Sequence, residues 1–521
     1  MDMTIHGLLA QRAVELGDRE FLHFNGENVT FAQLEARSRK AATGLAALGI
    51  GKGDRVALML DNCIEYLVLW FALSRIGAIE VPLNTAHKGD VLAHMLTLSR
   101  ACAIIIETKY IASLDEIASR LHEAPMRVVR REVAEVGDGV DLDAVLTATG
   151  KAPEVEVSPD DPYAIMFTSG TTGVSKGALM PQAYALNTAR QICAATGYTP
   201  ADCLLNVLPL FHGNAQVLSV LPALISGART VLCEKFSASR FWDIVREHHC
   251  TAFNYIGTIL SVLMKAPPSA ADRGHGLRVM MGAGAGPGLF ESFEARFGVR
   301  LIEGYGMSEI GVPIQSDPNC RKPGSCGRQT AHYDLMLVDA NGRPIETPDT
   351  PGELLVRPKV LSSMMIEYVG MPEKTLEAFR DLWFHTGDLL RFDDEGFWYF
   401  VDRSKDALRR RGENISSFEV ERVVNAMEAV RECAVIPVPS ELGEDDVMVC
   451  VVLQDGARAD GAEVRAHCQA HMAAFMVPRY VRFLSALPKT ATARVEKHKL
   501  KREGVTPDTW DADADSAMML Q

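Results

Sequence analysis

A chain of 521 residues is too long for one ordinary hydrophobic core and calls for two or more domains. Its 47% hydrophobic and 23% charged content is that of an average globular protein, which excludes disordered and collagen-like classes. A formal net charge of −14 argues against nucleic acid or an anionic membrane as a partner held by bulk electrostatics, and any polyanion site must gather its positive charge locally.

The first residues, Met1-Asp-Met-Thr-Ile, lack the basic and apolar segments of a secretory leader. Residues 5–16 carry apolar side chains at helical spacing, and Phe21-Leu-His-Phe reads as a strand. Thr30 can cap a helix from Phe31 through Leu48, which 49–53 terminates. A strand from Arg55, a helix over 63–75, a strand from Ala78, a helix over 91–99 and a strand over 103–107 follow. This β-α-β-α-β rhythm predicts a largely parallel, doubly wound sheet. Residues 140–162, rich in Pro, Asp and Ala, form a connector, and the α/β rhythm resumes over 178–310. Residues 352–399, with short strands and many turns, are expected to make a small antiparallel barrel. Beyond Asp402 come a helix (417–427), strands (433–437 and 447–453) and a helix (462–473), the content of a small α+β domain. The tail from Pro507 is expected to fray. The expected fold is therefore α/β, with a large domain over 1–402 and a small mobile one over 403–521.

The most apolar long window, 204–225, is interrupted by Asn206, Pro209, His212, Asn214, Gln216 and Pro222, so stable membrane insertion is not expected. The eleven cysteines are odd in number and contain no C-x-x-C, which favours a reducing, cytoplasmic compartment and free thiols. The closing Met-Met-Leu-Gln matches no retention or peroxisomal signal.

One stretch organises the chemistry. The apolar run Tyr163 to Phe167 empties into Thr168-Ser-Gly-Thr-Thr-Gly-Val-Ser-Lys-Gly177. Glycines let backbone N–H groups face an anion closely, five hydroxyls add donors, and Lys176 supplies a compact positive charge. That is the equipment of a polyphosphate cradle. It is not a Walker loop, because Lys176 follows Ser175 and precedes a glycine. A second glycine-rich turn, Gly282-Ala-Gly-Ala-Gly-Pro287, follows a strand but misses the dinucleotide register, since Pro287 falls where a third glycine is required. His467, Cys468 and His471 have metal-like spacing, but the segment reads as an amphipathic helix with no converging carboxylate. Elsewhere stand Leu208-Pro-Leu-Phe-His-Gly-Asn214, Glu303-Gly-Tyr-Gly-Met-Ser-Glu309, His385-Thr-Gly-Asp388, Val401-Asp-Arg403 and Lys405-Asp-Ala-Leu-Arg-Arg-Arg-Gly-Glu413. Tyr305 offers a flat face to a base, Ser308 a hydroxyl, and Glu309 a hard oxygen for Mg²⁺.

Together these motifs resemble the adenylate-forming superfamily of acyl-CoA synthetases, luciferases and peptide-synthetase adenylation domains, with matches across residues 20–500. Two positions depart from its pattern: Ser175 stands where proline is usual, and Arg494, after Ala493, stands at the catalytic-lysine position. The resemblance implies ATP, Mg²⁺ and coenzyme A as cofactors and co-substrates. It places Thr168, Ser169, Gly170, Thr171, Thr172, Gly173 and Lys176 on the phosphates, and Gly282, Ala283, Gly284, Glu303, Gly304, Tyr305, Gly306, Met307 and Ser308 around the nucleotide and acyl carboxylate. Asp388 takes the ribose hydroxyls with Arg403 beside it, Lys405 is the hinge, and Arg411, Gly412 and Glu413 face the CoA arm. Catalysis falls to Lys176, Glu309, His212 and Arg494, with Glu309 as the metal ligand.

His212 occupies the position where amino-acid-activating domains usually carry an aspartate, which argues against an α-amino acid substrate. Candidate acyl-pocket walls are Phe211, His212, Tyr255, Gly257, Gly282, Met307 and Gly311. The run Arg409-Arg-Arg-Gly-Glu-Asn-Ile-Ser-Ser is similar to the carnitine/crotonobetaine-CoA ligase-like branch. The expected activity is AMP-forming acyl-CoA synthesis on a small-molecule carboxylic acid, and a homodimer is one assembly open to the chain. A carrier-protein-loading adenylation enzyme, a non-catalytic nucleotide binder and a nicotinamide oxidoreductase are the alternatives.

Overall fold

The computed structural model describes residues 3–130, 139–168, 175–285, 287–339, 341–403, 407–410, 413–440, 443–488, 495 and 497–514. These fall into two compact units. The larger comprises Met1–Thr85, Leu96–Phe167 and Gly177–Asp402, and the smaller Ala86–Met95, Thr168–Lys176 and Arg403–Gln521.

Local sequence chemistry sets the amino-terminal elements. Thr30 accepts from the Gln33 N–H while the Gln33 side chain accepts from the Thr30 N–H, and this capping box starts the helix Phe31–Ala47. The helix Ile64–Ile76 is buried nearly all round and ends at Gly77 in the left-handed region (φ 70°), where glycine has no Cβ to clash. An apolar face on every side suits a helix packed between layers.

Two sheets dominate the larger unit. One has nine strands, in which Glu20–Phe24, Arg229–Leu232, Cys203–Asn206, Ala252–Ile256, Val279–Ala283 and Arg300–Met307 run parallel as successive neighbours, with antiparallel strands at both ends. The other has eight, with a parallel centre of Ile79–Pro82, Arg55–Met59, Ala103–Glu107 and Met126–Arg130. One continuous hydrophobic core joins their packed faces, with Trp70, Tyr66 and Phe71 of the buried helix among its largest side chains. Parallel strands need covered faces, and these read as near-continuous apolar runs for that reason.

The small barrel expected here is present as a four-stranded antiparallel half-barrel sheet, Tyr333–Val338, Gly352–Pro358, Phe384–Phe392 and Trp398–Arg403. It begins nineteen residues ahead of Gly352, because Tyr333–Val338 pairs along its whole length with Gly352–Pro358.

The smaller unit is α+β. Its sheet runs Val430–Pro439, Asp445–Leu453, Tyr480–Phe483, Trp510–Asp511, with helices Ser417–Asn425 and Gly461–His471 packed on its core. The expectation that the chain frays from Pro507 is corrected. Trp510 and Asp511 add a strand to Tyr480–Phe483, and the Arg479 guanidinium holds the Asp511 carboxylate at 3.0 Å. His467 and His471 each place a ring nitrogen against a backbone carbonyl, of Val423 and His467 respectively, as helix side chains do. Among the described residues no cluster of three metal-ligating side chains occurs, and no helix is long and apolar enough to cross a membrane.

Candidate active site

The carboxyl ends of parallel strands are where open α/β sheets bind ligands. In the nine-stranded sheet those ends deliver Asn206, Ile256, Ala283 and Met307, followed by the motifs singled out above. The glycine-rich turn after Val279–Ala283 is braced from the neighbouring strand. Glu303, 5% exposed, accepts the N–H of Gly284 at 3.0 Å and of Ala285 at 3.3 Å, and also the Tyr255 hydroxyl. Gly284 has φ +89°, and a Cβ on Gly257 would lie 2.4 Å from the Gly284 carbonyl oxygen. Side chains at either position would push the turn away from the strand ends. Glu303 therefore shapes the turn that the sequence assigned to nucleotide and carboxylate.

Tyr305 and Asp388, 83 residues apart in sequence, meet in space. The tyrosine hydroxyl donates to Asp388 Oδ2 at 2.8 Å, and both residues are 7% exposed. Thr386 sets the aspartate by accepting its N–H at 3.1 Å while donating to the Leu354 carbonyl at 2.7 Å. Gly387, at φ +71°, turns the chain between them. Glu309, 3% exposed, accepts the Tyr368 hydroxyl at 2.9 Å. Gly306 and Ser308 are exposed, and Met307 is half-buried. The motif thus presents a backbone edge to solvent while its carboxylate is turned inward.

The segment 208–214 is held from both sheets. Asn62, 5% exposed, donates to the carbonyls of Leu208 and Cys233 and accepts the Leu210 N–H at 2.7 Å. The Gln216 amide donates to the Leu210 carbonyl at 2.9 Å and to the Glu80 carboxyl at 3.0 Å, and Glu80 also receives the Tyr66 hydroxyl at 2.7 Å. Full burial pushes the Glu80 carboxyl up to about 8, against the hydrogen bonds from Tyr66 and Gln216. His212 follows, its ring 4.9 Å from that of Phe211, and the chain then enters a π-helical turn, Gln216–Val220. Such turns are frequent at functional sites.

Within the smaller unit, Thr168 ends the strand Pro162–Thr168 and Lys176 opens the strand Lys176–Pro181. Ser169, Gly170, Thr171, Thr172 and Gly173 between them lie outside the described residues, as do Lys405, Arg411, Gly412 and Arg494. Ser175 has a partner: its N–H donates to Glu419 Oε1 at 3.0 Å and its hydroxyl to the same oxygen, with both residues 4% exposed. A proline there would have no N–H to give. Glu413 begins the strand Glu413–Ser416, hairpin-paired to Ala407–Arg410, and Arg403 ends Trp398–Arg403. The Arg410 guanidinium is bound to Asp446 at 3.1 Å and to the Val477 carbonyl at 2.7 Å, a structural role for one member of the arginine run. Lys497 is similarly tied, to Ser417 at 2.8 Å and to Glu421 at 2.6 Å.

The sequence model of the AMP-binding enzymes matches residues 9–369, and that of the AMP-binding enzyme C-terminal domain matches residues 419–494. The chain belongs to the AMP-binding enzymes. Its relatives include the crotonobetaine/carnitine–CoA ligases of Salmonella paratyphi A and Salmonella typhi. Each is 32% identical over 500 residues, covering 93% of this chain and 96% of the relative. Among solved structures it is similar to an o-succinylbenzoate CoA synthetase double mutant from Bacillus subtilis bound with a product analogue. That pair shares 25% identity and a TM-score of 0.84, over 96% of this chain and 99% of the other. ATP-bound MatB from Rhodopseudomonas palustris (26%, TM-score 0.71, 96% and 99%) and a Mycobacterium tuberculosis fatty acyl CoA synthetase (27%, TM-score 0.70, 96% and 98%) share the fold. This AMP-binding enzyme is an ATP-using acid–thiol ligase of the acyl-CoA synthetase kind.

Sequence reasoning did not find Asn62, Tyr66 or Glu80 in this AMP-binding enzyme. Glu80 carried a usable signal, a lone carboxylate inside the apolar strand Ile79–Pro82, where a charge needs a special neighbour. Asn62 carried none, because its partners are backbone atoms 146–171 residues away.

Proposed function

We propose that this acyl-CoA synthetase binds MgATP at the strand ends that carry Tyr305, Glu309 and Asp388, and lays a small-molecule carboxylic acid against Phe211, His212 and the turn at 282–285. The Tyr305–Asp388 hydrogen bond carries the reading: it joins an aromatic face fit for adenine to a carboxylate fit for a ribose diol in one buried pair.

In the first half-reaction a carboxylate oxygen attacks the α-phosphorus and pyrophosphate leaves with the broken P–O bond. Lys176 and the hydroxyls of 168–173 hold phosphate oxygens, and the Gly284 and Ala285 turn, fixed by Glu303, positions the acyl carboxylate. In the second, CoA sulfur attacks the acyl carbon and AMP departs, after the small domain turns about Lys405 with Arg411, Gly412 and Glu413 toward the pantetheine arm. Catalysis by this chain is positioning and charge neutralisation. Glu309 fits Mg²⁺ as a hard-oxygen donor of the kind that would hold the ion beside substrate phosphates. The ion supplies charge neutralisation on the polyphosphate when bound. All eleven cysteines are free thiols, which supports a cytoplasmic setting.

Lys176→Ala and Glu309→Ala are expected each to slow pyrophosphate release about 10²–10³-fold, the cost of losing one preorganised electrostatic contact. Wild-type rates in both variants would move the ATP site elsewhere.

A further inference from the structure

The carboxyl ends of the two central parallel strands hold an unusual pair. Leu204 and Leu205 of Cys203–Asn206 are in register with Ala252 and Phe253 of Ala252–Ile256, and continuing that register sets Asn206 beside Asn254. Register neighbours in a parallel sheet share a face. Leu232, Asn206, Asn254, Met281 and Ile302 therefore form one row across five strands, apolar except at its centre. Asparagine is depleted from strands, and burying an amide group without a partner is unfavourable.

Both asparagines are buried, 2% and 4% exposed, and each keeps one half of its amide unused. Among the described residues, Asn206 Nδ2 and Asn254 Oδ1 have no hydrogen-bond partner. The other halves are committed: Asn206 Oδ1 accepts the Leu208 N–H at 3.1 Å, and Asn254 Nδ2 donates to Asn214 Oδ1. The second bond shows that this face of the row looks toward the segment carrying His212. The π-helical turn Gln216–Val220 packs on both strands, and on it Gln216 Oε1 and Ser219 Oγ are likewise buried without partners. The set thus holds a spare N–H donor, two spare carbonyl acceptors and a hydroxyl, all uncharged.

We infer that this enzyme's acid carries, beyond its carboxylate, a neutral group that both donates and accepts hydrogen bonds, a hydroxyl or primary amide, bound by Asn206 and Asn254. The inference rests on the acyl site proposed above. A hydroxyl answers the pair directly, donating to Asn254 Oδ1 while accepting from Asn206 Nδ2. The set itself is uncharged, and Glu80, the carboxyl bonded to its Gln216, is also capped by Tyr66 and is kept toward its protonated form by burial.

The test is pyrophosphate release by the full chain with ATP, Mg²⁺ and CoA, using matched acids of four to six carbons. The acids bear a hydroxyl at carbon 3, 4 or 5, a terminal primary amide, a terminal trimethylammonium, or only alkyl groups. The best hydroxy or amide acid is expected to exceed its alkyl match at least tenfold in kcat/KM, as sites built to bond a polar group reject analogues lacking it. Asn206→Leu and Asn254→Leu, close to the native volume, should each reverse that ratio toward the alkyl acid. A wild-type preference for alkyl or cationic acids overturns this inference alone. Equal rates for all matched pairs, the outcome if water merely fills the spare positions, also overturn it. No release with any acid overturns the acyl-activation reading together with it. The wild-type ratio decides the matter even where a variant does not fold.

Discussion

Glu80 offers a test of the larger unit's energetics that does not depend on any substrate. Its carboxyl is fully buried between Tyr66 and Gln216, and burial raises it from 4.5 to about 8. A carboxyl raised in the folded state contributes stability that is complete below about pH 4.5 and is lost as pH climbs through 8. The loss runs at about 1.4 kcal/mol per pH unit, so it approaches roughly 5 kcal/mol above pH 8 and stands near 3 kcal/mol at pH 7. Glu80→Gln keeps an oxygen for the Tyr66 hydroxyl and removes the ionisable proton. The variant should match wild type within about 1 kcal/mol near pH 5 and exceed it by several kcal/mol at pH 8.5. Urea unfolding of the intact chain, followed by tryptophan fluorescence at pH 5, 6.5, 7.5 and 8.5, measures this. Every other titrating group is common to both proteins, so the difference isolates Glu80. Curves that stay parallel across the range would refute the claim that this carboxyl is protonated in the fold.

Asp388→Asn retains an acceptor for Tyr305 but loses the charge proposed to meet the ribose; KM for ATP should rise about tenfold, equal to about 1.4 kcal/mol, with a smaller change in kcat. Ser175→Pro, though it restores the family's usual residue, removes both donors to Glu419 and should cost about 1–3 kcal/mol, read as a lower urea midpoint. An unchanged midpoint would make that contact irrelevant. Arg494→Ala should slow acyl-adenylate formation by orders of magnitude and spare CoA transfer from presynthesised acyl-adenylate, with Arg494→Lys retaining much of the first step. Normal adenylation by Arg494→Ala alongside failure of Lys497→Ala would transfer the role to the lysine.

The fold was largely legible because its elements announce themselves locally. Thr30 with Gln33 marks a helix start, apolar runs of four to five residues mark buried strands, and their alternation with helices marks parallel order. What escaped was pairing at a distance. Trp510–Asp511 reads as a loose acidic tail until Tyr480–Phe483 supplies a strand edge and Arg479 a counter-charge. The antiparallel sheet was expected from Gly352, and Tyr333–Val338 was assigned to no element; only its ladder to Gly352–Pro358 assigns it.

The site divides along the same line. Glycines, hydroxyls and lysines at fixed spacing are contiguous, so the cradle and the Gly304-Tyr-Gly-Met-Ser-Glu309 stretch could be read directly. The residues that set their geometry are dispersed, and each uses ordinary chemistry. Glu303 was grouped with the nucleotide contacts because it adjoins them, yet its carboxylate spends its bonds on Gly284, Ala285 and Tyr255. Lys497 could be weighed against Arg494 from sequence only by proximity. Its contacts with Ser417 and Glu421 weigh against that role, since a lysine that left the pair would strand a half-buried carboxylate. Arginine at 494 remains the proposed source of the positive charge the reaction asks of this loop, and it would supply that charge without any need to titrate. The substitution at the family's lysine position is thus consistent with a working ligase, because the step needs charge on the phosphate and carboxylate, not a proton from the side chain.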